Sequence, residues 1–419
     1  MIPLWSPEVE ASVRAEARSL DEQARPTEVK FCKRCVVSNQ RPRIVFDAEG
    51  ICSACRFAER KRNGIDWGGR AAELIRLLDR HRGRGGYDVV VPVSGGKDSA
   101  TVAHRLKYQH KMNPLCVKWA PFIYTDIGRQ NFESFVQSGF DVLVGWPNGL
   151  LHRRLARLCF EFLGDPFQPF AFGQLAFPMQ IAAKFKIPLV FYGENGEAEY
   201  GGDPAANDRP CWDIIDWERV YLKGTGVGRI IGWGLELGVF TIDEAKSISE
   251  FYSLPSREQL GGTEFHWFSY YRRWHPQENF YYATEHTGFT TNDGHSEGTY
   301  SKYASLDDKL DGFHYYMAYI KFGIGRATSD AAHEIRDGEI TRDEAVALVK
   351  RYDDEFPTRH LAECLDYLGL DLDQYRRIED RFRPAHLWEK TDDLWRLKHA
   401  VWHGVERDHL DGAGALVSA

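Results

Sequence analysis

The stretch YDVVVPVSGGKDSATVAHRLKY, residues 87–108, constrains the fold of this chain more than any other. An apolar run, two adjacent glycines, a lysine and a helical pattern follow one another. This order predicts a buried strand, a phosphate-binding turn and a helix over 98–109. The stretch is not the Walker sequence, which needs four residues between its first glycine and the Gly-Lys-Ser/Thr. Here Lys97 follows the glycine pair directly, and an aspartate precedes Ser99.

The residue types of this loop suit a phosphate that carries a metal ion. A glycine pair lets backbone N–H groups point into a small concavity, and the helix N-terminus adds a partial positive charge. Two serines and a lysine add donors, whereas Asp98 is suited to hold Mg²⁺. An ordinary capped helix start is the alternative interpretation. The predicted ATP and pyrophosphate ligands are Ser94, Gly95, Gly96, Lys97, Asp98 and Ser99.

Strand and helix patterns alternate from residue 87 to residue 195. This alternation predicts an α/β fold with a doubly wound parallel sheet and helices on both faces. Ligands on such sheets bind at the carboxyl ends of the strands. Glu194 and Asn195 end the last predicted strand, so they are candidates to hold Mg²⁺, ribose or the substrate amide. An ordinary strand-to-loop turn is the alternative for this pair.

Four cysteines form a second pattern, C-x2-C, sixteen residues, C-x2-C, which is the spacing of a four-thiolate zinc site. The segment PRIVFDAEGIC between the pairs predicts two short strands around a turn, as in a zinc ribbon. Four sulfurs leave no open position, so the zinc should be structural. A redox role is the weaker alternative, because neither pair opens a helix after a strand. The predicted zinc ligands are Cys32, Cys35, Cys52 and Cys55.

Composition excludes several functions for a chain of 419 residues. The net charge of −8 gives no positive field for a nucleic acid. No apolar run approaches the roughly 18–20 residues that cross a bilayer, and the N-terminus lacks the order of a signal peptide. We therefore expect a cytoplasmic protein without membrane insertion, in which the 8 cysteines stay reduced.

The chain divides into six predicted regions. Capping boxes from Thr241 to Glu244 and from Thr341 to Glu344 mark two helix starts in its second half, and short helices are expected to about residue 410. The regions are an exposed or disordered extension (1–29), the zinc ribbon (30–62), a linker (63–86), the nucleotide domain (87–245), a region that completes the active site (246–330) and a helical C-terminal region (331–419).

Further candidates lie in the second half of the chain. Lys321 and Arg326, in YIKFGIGRATSD, would neutralise charge on a leaving pyrophosphate, unless they are simply solvated. His295 is a candidate general base, although a lone loop histidine is usually solvated. A cluster of acidic and basic residues either takes part in the site or lies on a solvated helix face. Its members are Lys302, Asp307, Asp308 and Lys309.

The loop sequence SGGKDS resembles the SGGxDS signature of the PP-loop ATP pyrophosphatases, which include asparagine synthetase and the tRNA thiolation enzymes. The resemblance implies an adenine nucleotide alpha-hydrolase-like fold whose loop holds the departing pyrophosphate. ATP would then break between the α- and β-phosphates to give AMP and pyrophosphate. Lys97, Asp98, Glu194, Lys321 and Arg326 are the residues we expect to take part in catalysis, with Asp98 as the Mg²⁺ ligand.

Longer segments are similar to the N-acetyl sugar amidotransferase family of bacterial surface-polysaccharide biosynthesis. They are the fused ribbon, FYGENGEAEYGG, SEGTYSKYASLDDKLDGFHYYMAYIKFGIGRATSDA and IRDGEITRDEAVALVKRYDDEFP, and the resemblance covers roughly residues 30–385. It implies conversion of an acetamido group to an acetamidino group on a nucleotide-linked sugar, in LPS O-antigen or related surface-glycan biosynthesis. The amide oxygen would be adenylated, and ammonia would then displace AMP.

This reaction needs a source of ammonia. Residue 2 is Ile, so no cysteine follows the initiator methionine, and no other cysteine lies in the glycine-flanked elbow of a glutaminase nucleophile. Ammonia must therefore arrive free or from a partner. The resemblance implies a partner pair similar to the glutaminase and cyclase subunits of imidazole glycerol phosphate synthase.

Two other functions stay open at this point. A tRNA thiolation enzyme would use Cys211 or Cys159 as a sulfur carrier, but the acidic net charge and the lack of a second close cysteine pair weigh against it. A non-catalytic nucleotide-binding module would not need Ser94, Asp98 and Ser99. Copurification of tRNA and turnover of ATP to AMP distinguish the three.

Overall fold

Five parallel strands form the central sheet of the computed structural model, which describes residues 6–22, 25–83, 85–222 and 225–403. The strands are β1 (Val89–Pro92), β2 (Pro114–Trp119), β3 (Asp141–Gly145), β4 (Leu189–Tyr192) and β5 (Glu264–Trp267), in the order β3-β2-β1-β4-β5. The strand order reverses between β1 and β4, which opens a crevice at their carboxyl ends. The predicted α/β class with a parallel sheet is confirmed.

Both faces of this sheet are covered, as the alternation along β1 requires. Val90 packs with Leu115 of the neighbouring strand in one apolar cluster. Val89 and Val91 point the other way, into a second cluster that includes Leu78. Successive side chains of a strand face opposite sides of the sheet, so a strand that is apolar throughout must be buried on both.

Nineteen α-helices surround the sheet within the described residues. They are α1 (Pro7–Glu22), α2 (Ser53–Asn63), α3 (Trp67–His81), α4 (Lys97–His104), α5 (Asp126–Gln137), α6 (Gly149–Leu163), α7 (Gln168–Phe185), α8 (Gly196–Tyr200), α9 (Ile214–Asp216), α10 (Val227–Glu236), α11 (Ile242–Tyr252), α12 (Arg257–Leu260), α13 (Phe268–Tyr271), α14 (Pro276–Thr287), α15 (Asp311–Phe322), α16 (Arg326–Asp337), α17 (Arg342–Tyr352), α18 (Leu361–Leu368) and α19 (Leu372–Arg381). Both predicted capping boxes are present, at the starts of α11 and α17.

Two N-terminal segments differ from their sequence interpretation. Helix α1 is not merely exposed, because Val13 and Ala17 on one side of it are buried in a core cluster. The predicted linker 63–86 contains α3, whose Leu74, Leu77 and Leu78 cover one face of the sheet. In both segments the charged residues dominate the composition, while apolar residues at helical spacing decide the packing.

The sheet also extends beyond its predicted end. Strand β5 pairs with β4 in parallel register, Phe191 opposite His266, although it lies in the region 246–330, for which no strand was predicted. The predicted helix 98–109 is α4 followed by one π-helical turn, Arg105–Gln109. Two further short turns are Pro204–Ala206, a 3-10 helix, and Trp217–Tyr221, a π-helix.

The C-terminal region is helical up to residue 381 and then forms an antiparallel hairpin. Its strands are β6 (Trp388–Thr391) and β7 (Leu394–Leu397), and Asp392 and Asp393 form the turn with φ values of 50° and 61°. Positive φ at both central residues is what a two-residue hairpin turn needs. The prediction of helices to about residue 410 missed this hairpin, and residues 404–419 lie outside the described part of the chain.

The ribbon packs against the C-terminal helices rather than standing apart. Its short bridges pair Phe31 with Ser38 and Phe46 with Cys52. Its buried residues share one apolar cluster with α16 and α17, including Ala331. The ribbon therefore abuts the helix that begins at Arg326.

Candidate functional site

The glycine-rich loop after β1 is closed on itself by local hydrogen bonds. Gly95 has φ +94°, and a Cβ there would lie 2.8 Å from the Cα of Phe132, so only glycine fits. The N–H of Gly96 donates to Ser94 Oγ at 3.0 Å. The Ser99 hydroxyl donates to the Gly96 carbonyl at 3.2 Å and accepts from the Ser94 N–H at 3.3 Å. The loop leads into the N-terminus of α4, as the sequence predicts.

Asp98 is held at the mouth of this loop by two partners. Lys97 Nζ lies 2.5 Å from its Oδ2, and Asn279 Nδ2 donates to its Oδ1 at 2.9 Å. The side chain is still 35% exposed, toward the cavity. Asp98 can therefore offer an oxygen to a cation bound with phosphate, and Lys97 can turn to the phosphate itself.

Lys118, which the sequence interpretation missed, lies directly behind the loop. It is fully buried near the end of β2, and its ammonium donates to the Ser94 carbonyl and lies 4.5 Å from the Phe132 ring. Burial lowers the pKa of Lys118 from its ordinary value. A lysine inside the apolar strand PLCVKW was the available signal, because lysine is almost never fully buried without a role.

A first cavity of about 280 Å³ opens in front of the loop. Its walls come from the loop, the end of β4, the segment 301–307 and helix α16. Of the residues chosen from sequence, it brings together the whole loop, Glu194, Asp307 and Arg326. It lies at the carboxyl end of the sheet beside the switch point between β1 and β4.

Glu194 and Asn195 have different roles in the structure. The Glu194 carboxylate lines the first cavity and accepts a hydrogen bond from the Tyr200 hydroxyl at 3.4 Å. Burial, reinforced by the charge of Asp98, raises the pKa of Glu194 to about 7. Asn195 caps α8, since its Oδ1 accepts from the Glu197 N–H and its Nδ2 donates to the Ala206 carbonyl, both at 3.1 Å. Its side chain serves the turn.

Helix α16 supplies the far wall of the first cavity. Arg326 Nε lies 3.0 Å from Asp330 Oδ1, and its guanidinium also donates to the Tyr315 hydroxyl. Glu334 accepts from the Tyr300 hydroxyl at 2.7 Å, and burial raises the pKa of Glu334 to about 7 against that hydrogen bond. Only Arg326 was chosen from sequence. Asp330 and Glu334 could have been predicted, because they follow Arg326 at intervals of four residues, which places them on the same face of a helix.

A buried charge network ties this wall to the zinc ribbon. Lys61, on the ribbon helix α2, lies 2.6 Å from Glu199, which also faces His333 at 3.4 Å. His333 in turn lies 3.1 Å from Asp337. All four side chains are at most 6% exposed. The ribbon thus helps to fix two residues of the cavity wall, His333 and Asp337.

Carboxylates dominate the first cavity. Among the described residues its only lysine and arginine are Lys97 and Arg326, whereas seven acidic side chains line it: Asp98, Glu194, Asp307, Asp330, Glu334, Asp337 and Glu339. A polyphosphate entering such a cavity needs a cation to offset the repulsion. Mg²⁺ fits these donors, because it prefers one or two carboxylates together with phosphate and water oxygens.

Four sequence candidates lie away from the first cavity. Gly323, with φ +62°, ends α15 and reverses the chain, so Lys321 donates from α15 to the Leu163 carbonyl at 2.6 Å instead of joining Arg326. His295 pairs with Glu355 at 3.0 Å and Lys309 with Glu363 at 2.7 Å. Lys302 is exposed and contributes its carbonyl to the Asn292 N–H.

Asp308 supports the loop after β2. Its carboxylate accepts from the backbone N–H groups of Phe122 at 2.6 Å and Leu310 at 2.9 Å. Three backbone donors in all, counting Ile123 at 3.3 Å, hold the segment 306–310 against the sheet. This anchoring places its neighbour Asp307 in the first cavity.

The four ribbon cysteines form a candidate zinc centre. All are buried, and their sulfur atoms lie within 4.8 Å of one another. The Cys32–Cys55 and Cys35–Cys52 sulfurs are 3.9 and 3.7 Å apart. A zinc tetrahedron with bonds of about 2.3 Å has edges of about 3.8 Å, so the spacing fits four thiolates around one structural zinc. This is the one cluster of three or more metal-ligating side chains among the residues described.

The remaining cysteines do not contribute to the first cavity. Cys116, Cys159 and Cys364 are buried, and burial raises the pKa of each thiol. Cys211 is half-buried, and burial raises its pKa too. None of them lines the cavity. They therefore lack the depressed pKa of a thiolate nucleophile, and the sulfur-carrier role in tRNA thiolation gains no support.

Comparison with known families gives one match. Residues 297–401 match the family described as LPS biosynthesis protein WbpG-like, C-terminal domain. The matched span, about a quarter of the chain, contains Asp307, Arg326 and the rest of α16, so it forms much of the cavity wall. None of the curated proteins matches the chain. The match supports a surface-polysaccharide biosynthesis family. Within the residues described, no helix has the length and apolarity of a membrane span.

Proposed function

We propose that the protein is an ATP-dependent amidotransferase of LPS O-antigen or related surface-glycan biosynthesis. It converts the acetamido group of a nucleotide-linked N-acetyl sugar into an acetamidino group and releases AMP and pyrophosphate. One observation carries the proposal: the SGGKDS loop and the segment matched to an LPS biosynthesis family line the same cavity. Nucleotide chemistry and glycan chemistry then share one site.

The loop serves the departing pyrophosphate. Its backbone N–H groups, the N-terminus of α4 and Lys97 offer positive charge to the β- and γ-phosphates. Asp98 would hold Mg²⁺, and Glu194 is the second carboxylate within reach of the loop. When bound, Mg²⁺ neutralises phosphate charge that the seven carboxylates would otherwise repel.

The chemistry proceeds in two displacements. The amide oxygen attacks the α-phosphorus of ATP, the α–β bond breaks and pyrophosphate leaves. Ammonia then adds to the adenylated carbon, and AMP leaves with the former amide oxygen. Glu194, whose pKa burial raises to about 7, is suited to take the proton that the adding ammonia releases. Arg326 offers positive charge across the cavity from Lys97.

Ammonia comes from outside this chain in our proposal. Burial raises the pKa of every non-ribbon thiol, which disfavours a thiolate nucleophile for glutamine. A glutaminase and cyclase-like pair is the proposed partner. The purified chain should use ammonium salts but not glutamine unless a glutaminase is added. Glutamine hydrolysis by the chain alone, retained in single Ala variants of the four non-ribbon cysteines, would refute this source.

Isotope transfer tests the proposed reaction. The protein is mixed with ATP, Mg²⁺, an ammonium salt and a panel of UDP-linked N-acetyl sugars labelled with ¹⁸O in the acetamido group. Mass spectrometry should find a sugar in which NH replaces oxygen, and AMP that carries the ¹⁸O label. Product formation with the label released in water or phosphate would exclude adenylation of the amide. Lys246→Met, at an exposed position of α11, serves as the active control variant.

A further inference from the structure

A second cavity, of about 550 Å³, lies between α1, the end of α6 and the segment 381–386. Its volume falls in the range of roughly 300–1,000 Å³ typical of small-molecule sites. It is separate from the first cavity, with which it shares no lining residue among those the structure describes. The half-buried ring of Phe382 lines part of it, whereas Phe162 is buried beneath the Arg14 guanidinium.

Positive charge dominates this second cavity. Six cationic side chains of the described residues line it, against the two carboxylates of Glu161 and Asp165. The cations are Arg14, Arg18, Arg25, Lys321, Arg381 and Arg383. In a chain with a net charge of −8, such a concentration in one concave site favours an anionic ligand.

Ion pairs offset part of this charge, since Arg383, for example, pairs with Glu379 and Asp380. Glu161 is buried at 6% exposure and receives three guanidinium groups. Arg14 Nη2 lies 3.3 Å from its Oε2, Arg157 Nη2 lies 2.9 Å from its Oε1, and Arg381 also contacts Oε2. Arg14 also lies 2.6 Å from Glu10, so three guanidinium groups meet two carboxylates here and one positive charge is left over beside the cavity.

A buried amide donor provides an independent indication. Gln168, at the start of α7, lines the second cavity and is only 4% exposed. Its Nε2 has no hydrogen-bond partner among the described residues. Buried side-chain donors are normally satisfied, so an unpaired one in a cavity wall indicates an acceptor that arrives with a ligand.

We propose that the second cavity binds a nucleoside diphosphate without a metal ion. The arginines and the Gln168 amide serve the phosphate oxygens, because guanidinium groups match phosphate in bidentate geometry. The volume exceeds what a bare diphosphate fills, and the half-buried ring of Phe382 suits a base. Unlike the first cavity, this one presents arginine side chains directly to the phosphate oxygens.

Helix α15 links a residue of the second cavity to a residue of the first. His314 Nδ1 lies 2.9 Å from Asp165 of the second cavity, and the adjacent Tyr315 hydroxyl contacts Arg326 of the first. The role we assign to the site rests on the proposed function: it is a docking site for the diphosphate of the sugar nucleotide before the sugar enters the first cavity. The binding itself can be tested without any reaction.

The test is titration calorimetry of the full chain with UDP in EDTA. Saturable binding is expected, with an affinity at least about tenfold lower in Arg381→Gln and in the nearly isosteric Gln168→Glu, as for one hydrogen bond lost to a charged group. Arg257→Gln changes an exposed arginine outside both cavities and should bind like the unaltered chain. Circular dichroism verifies that each variant is folded.

Absence of UDP binding in EDTA would overturn the proposal, and so would equal affinity in the unaltered chain, Arg381→Gln and Gln168→Glu. Affinity that falls in Lys97→Ala but not in the two cavity variants would assign UDP to the first cavity and overturn it too. The two proposals fail separately. Metal-free UDP binding with no ATP turnover refutes only the amidotransferase, whereas sugar-dependent ATP turnover with no such binding refutes only the second site.

Discussion

The two cavities are opposites in charge, although each is proposed to hold phosphate. Among the described residues, seven carboxylates line the first, and six cationic side chains line the second. The first offers backbone N–H groups, one loop lysine and Arg326, which are enough only when a cation accompanies the phosphates. The second offers guanidinium groups directly. We infer from this difference that the first cavity suits a pyrophosphate that leaves with Mg²⁺, whereas the second suits a diphosphate that stays bound without a metal ion.

The zinc ribbon reaches both cavities, so its loss should have the largest effect. Lys61 enters the network beside the first, and Gln40 Oε1 contacts His386 of the second at 2.9 Å. Elemental analysis should find one zinc per chain, and Cys35→Ala should lose it, since structural zinc contributes directly to folding. Both MgATP and metal-free UDP binding should then weaken. Full zinc in a variant that lacks all four ribbon cysteines would disprove the site.

The variant Lys61→Met should affect ligand binding in the first cavity but not in the second. Breaking this buried pair leaves Glu199 with His333 as its remaining charged partner, so the free energy of unfolding should fall by about 3–5 kcal/mol. MgATP binding should weaken, because His333 and Asp337 lose their fixed position, while UDP binding in EDTA is unchanged. Urea unfolding and calorimetry measure both. Lys246→Met is the matched control, since its pair with Asp243 is exposed and worth about 0.5 kcal/mol or less. Equal destabilisation by the two variants would contradict the role of the network.

Asp98→Asn tests the metal requirement of the first cavity. Turnover should fall about a hundredfold or more, because Asp98 is the proposed Mg²⁺ ligand and even the loss of a ligand's supporting partner typically costs about 10–100-fold; extra Mg²⁺ should restore part of it. The fold should be intact, because Asp98 faces the cavity. Arg381→Gln in the second cavity should instead raise KM for the sugar nucleotide with little change in kcat. Steady-state kinetics of both variants at several Mg²⁺ concentrations should show a Mg²⁺-dependent loss only in Asp98→Asn. Identical kinetic profiles of the two variants would contradict the different roles of the two cavities.

The smallest expected effect is on the pH dependence of stability in EDTA. Burial and Asp98 raise the pKa of Glu194 from 4.5 to about 7, so the folded chain binds the extra proton in this window. Stability should therefore fall as pH rises from about 4.5 to about 7, by an amount on the order of 1 kcal/mol for this residue. Glu194→Gln should flatten that part of the curve. Arg381→Gln should not, since arginine stays charged throughout. An unchanged slope in Glu194→Gln would show that its carboxyl is not perturbed.

Local patterns allowed much of this molecule to be predicted. The glycine pair, the cysteine spacing and the capping boxes each act within a few residues, so the loop, the ribbon and two helix starts follow from sequence. Strand β5 was missed because EFHWF is a short aromatic run without alternation, and such a run is compatible with a buried strand or a buried helix. Lys321 and Arg326 look adjacent in sequence, but the left-handed turn at Gly323 sends them to different cavities.

The walls of both cavities depend on long-range packing. Lys61 meets Glu199 and His333 from a helix more than a hundred residues away, and no local signal links them. The second cavity joins α1, α6 and the segment 381–386, whose arginines look like ordinary surface charges along the chain. Tertiary contacts, rather than local preference, create these sites.

The nucleotide products of turnover test the central claim most directly. The protein is incubated with MgATP, a UDP-linked N-acetyl sugar that it accepts and an ammonium salt, and the products are separated by ion-exchange chromatography and quantified. A loop that holds the departing pyrophosphate predicts AMP and pyrophosphate in equal amounts, formed only when the sugar is present and lost in Asp98→Asn. ADP and orthophosphate as the primary products would contradict the assignment of the SGGKDS loop.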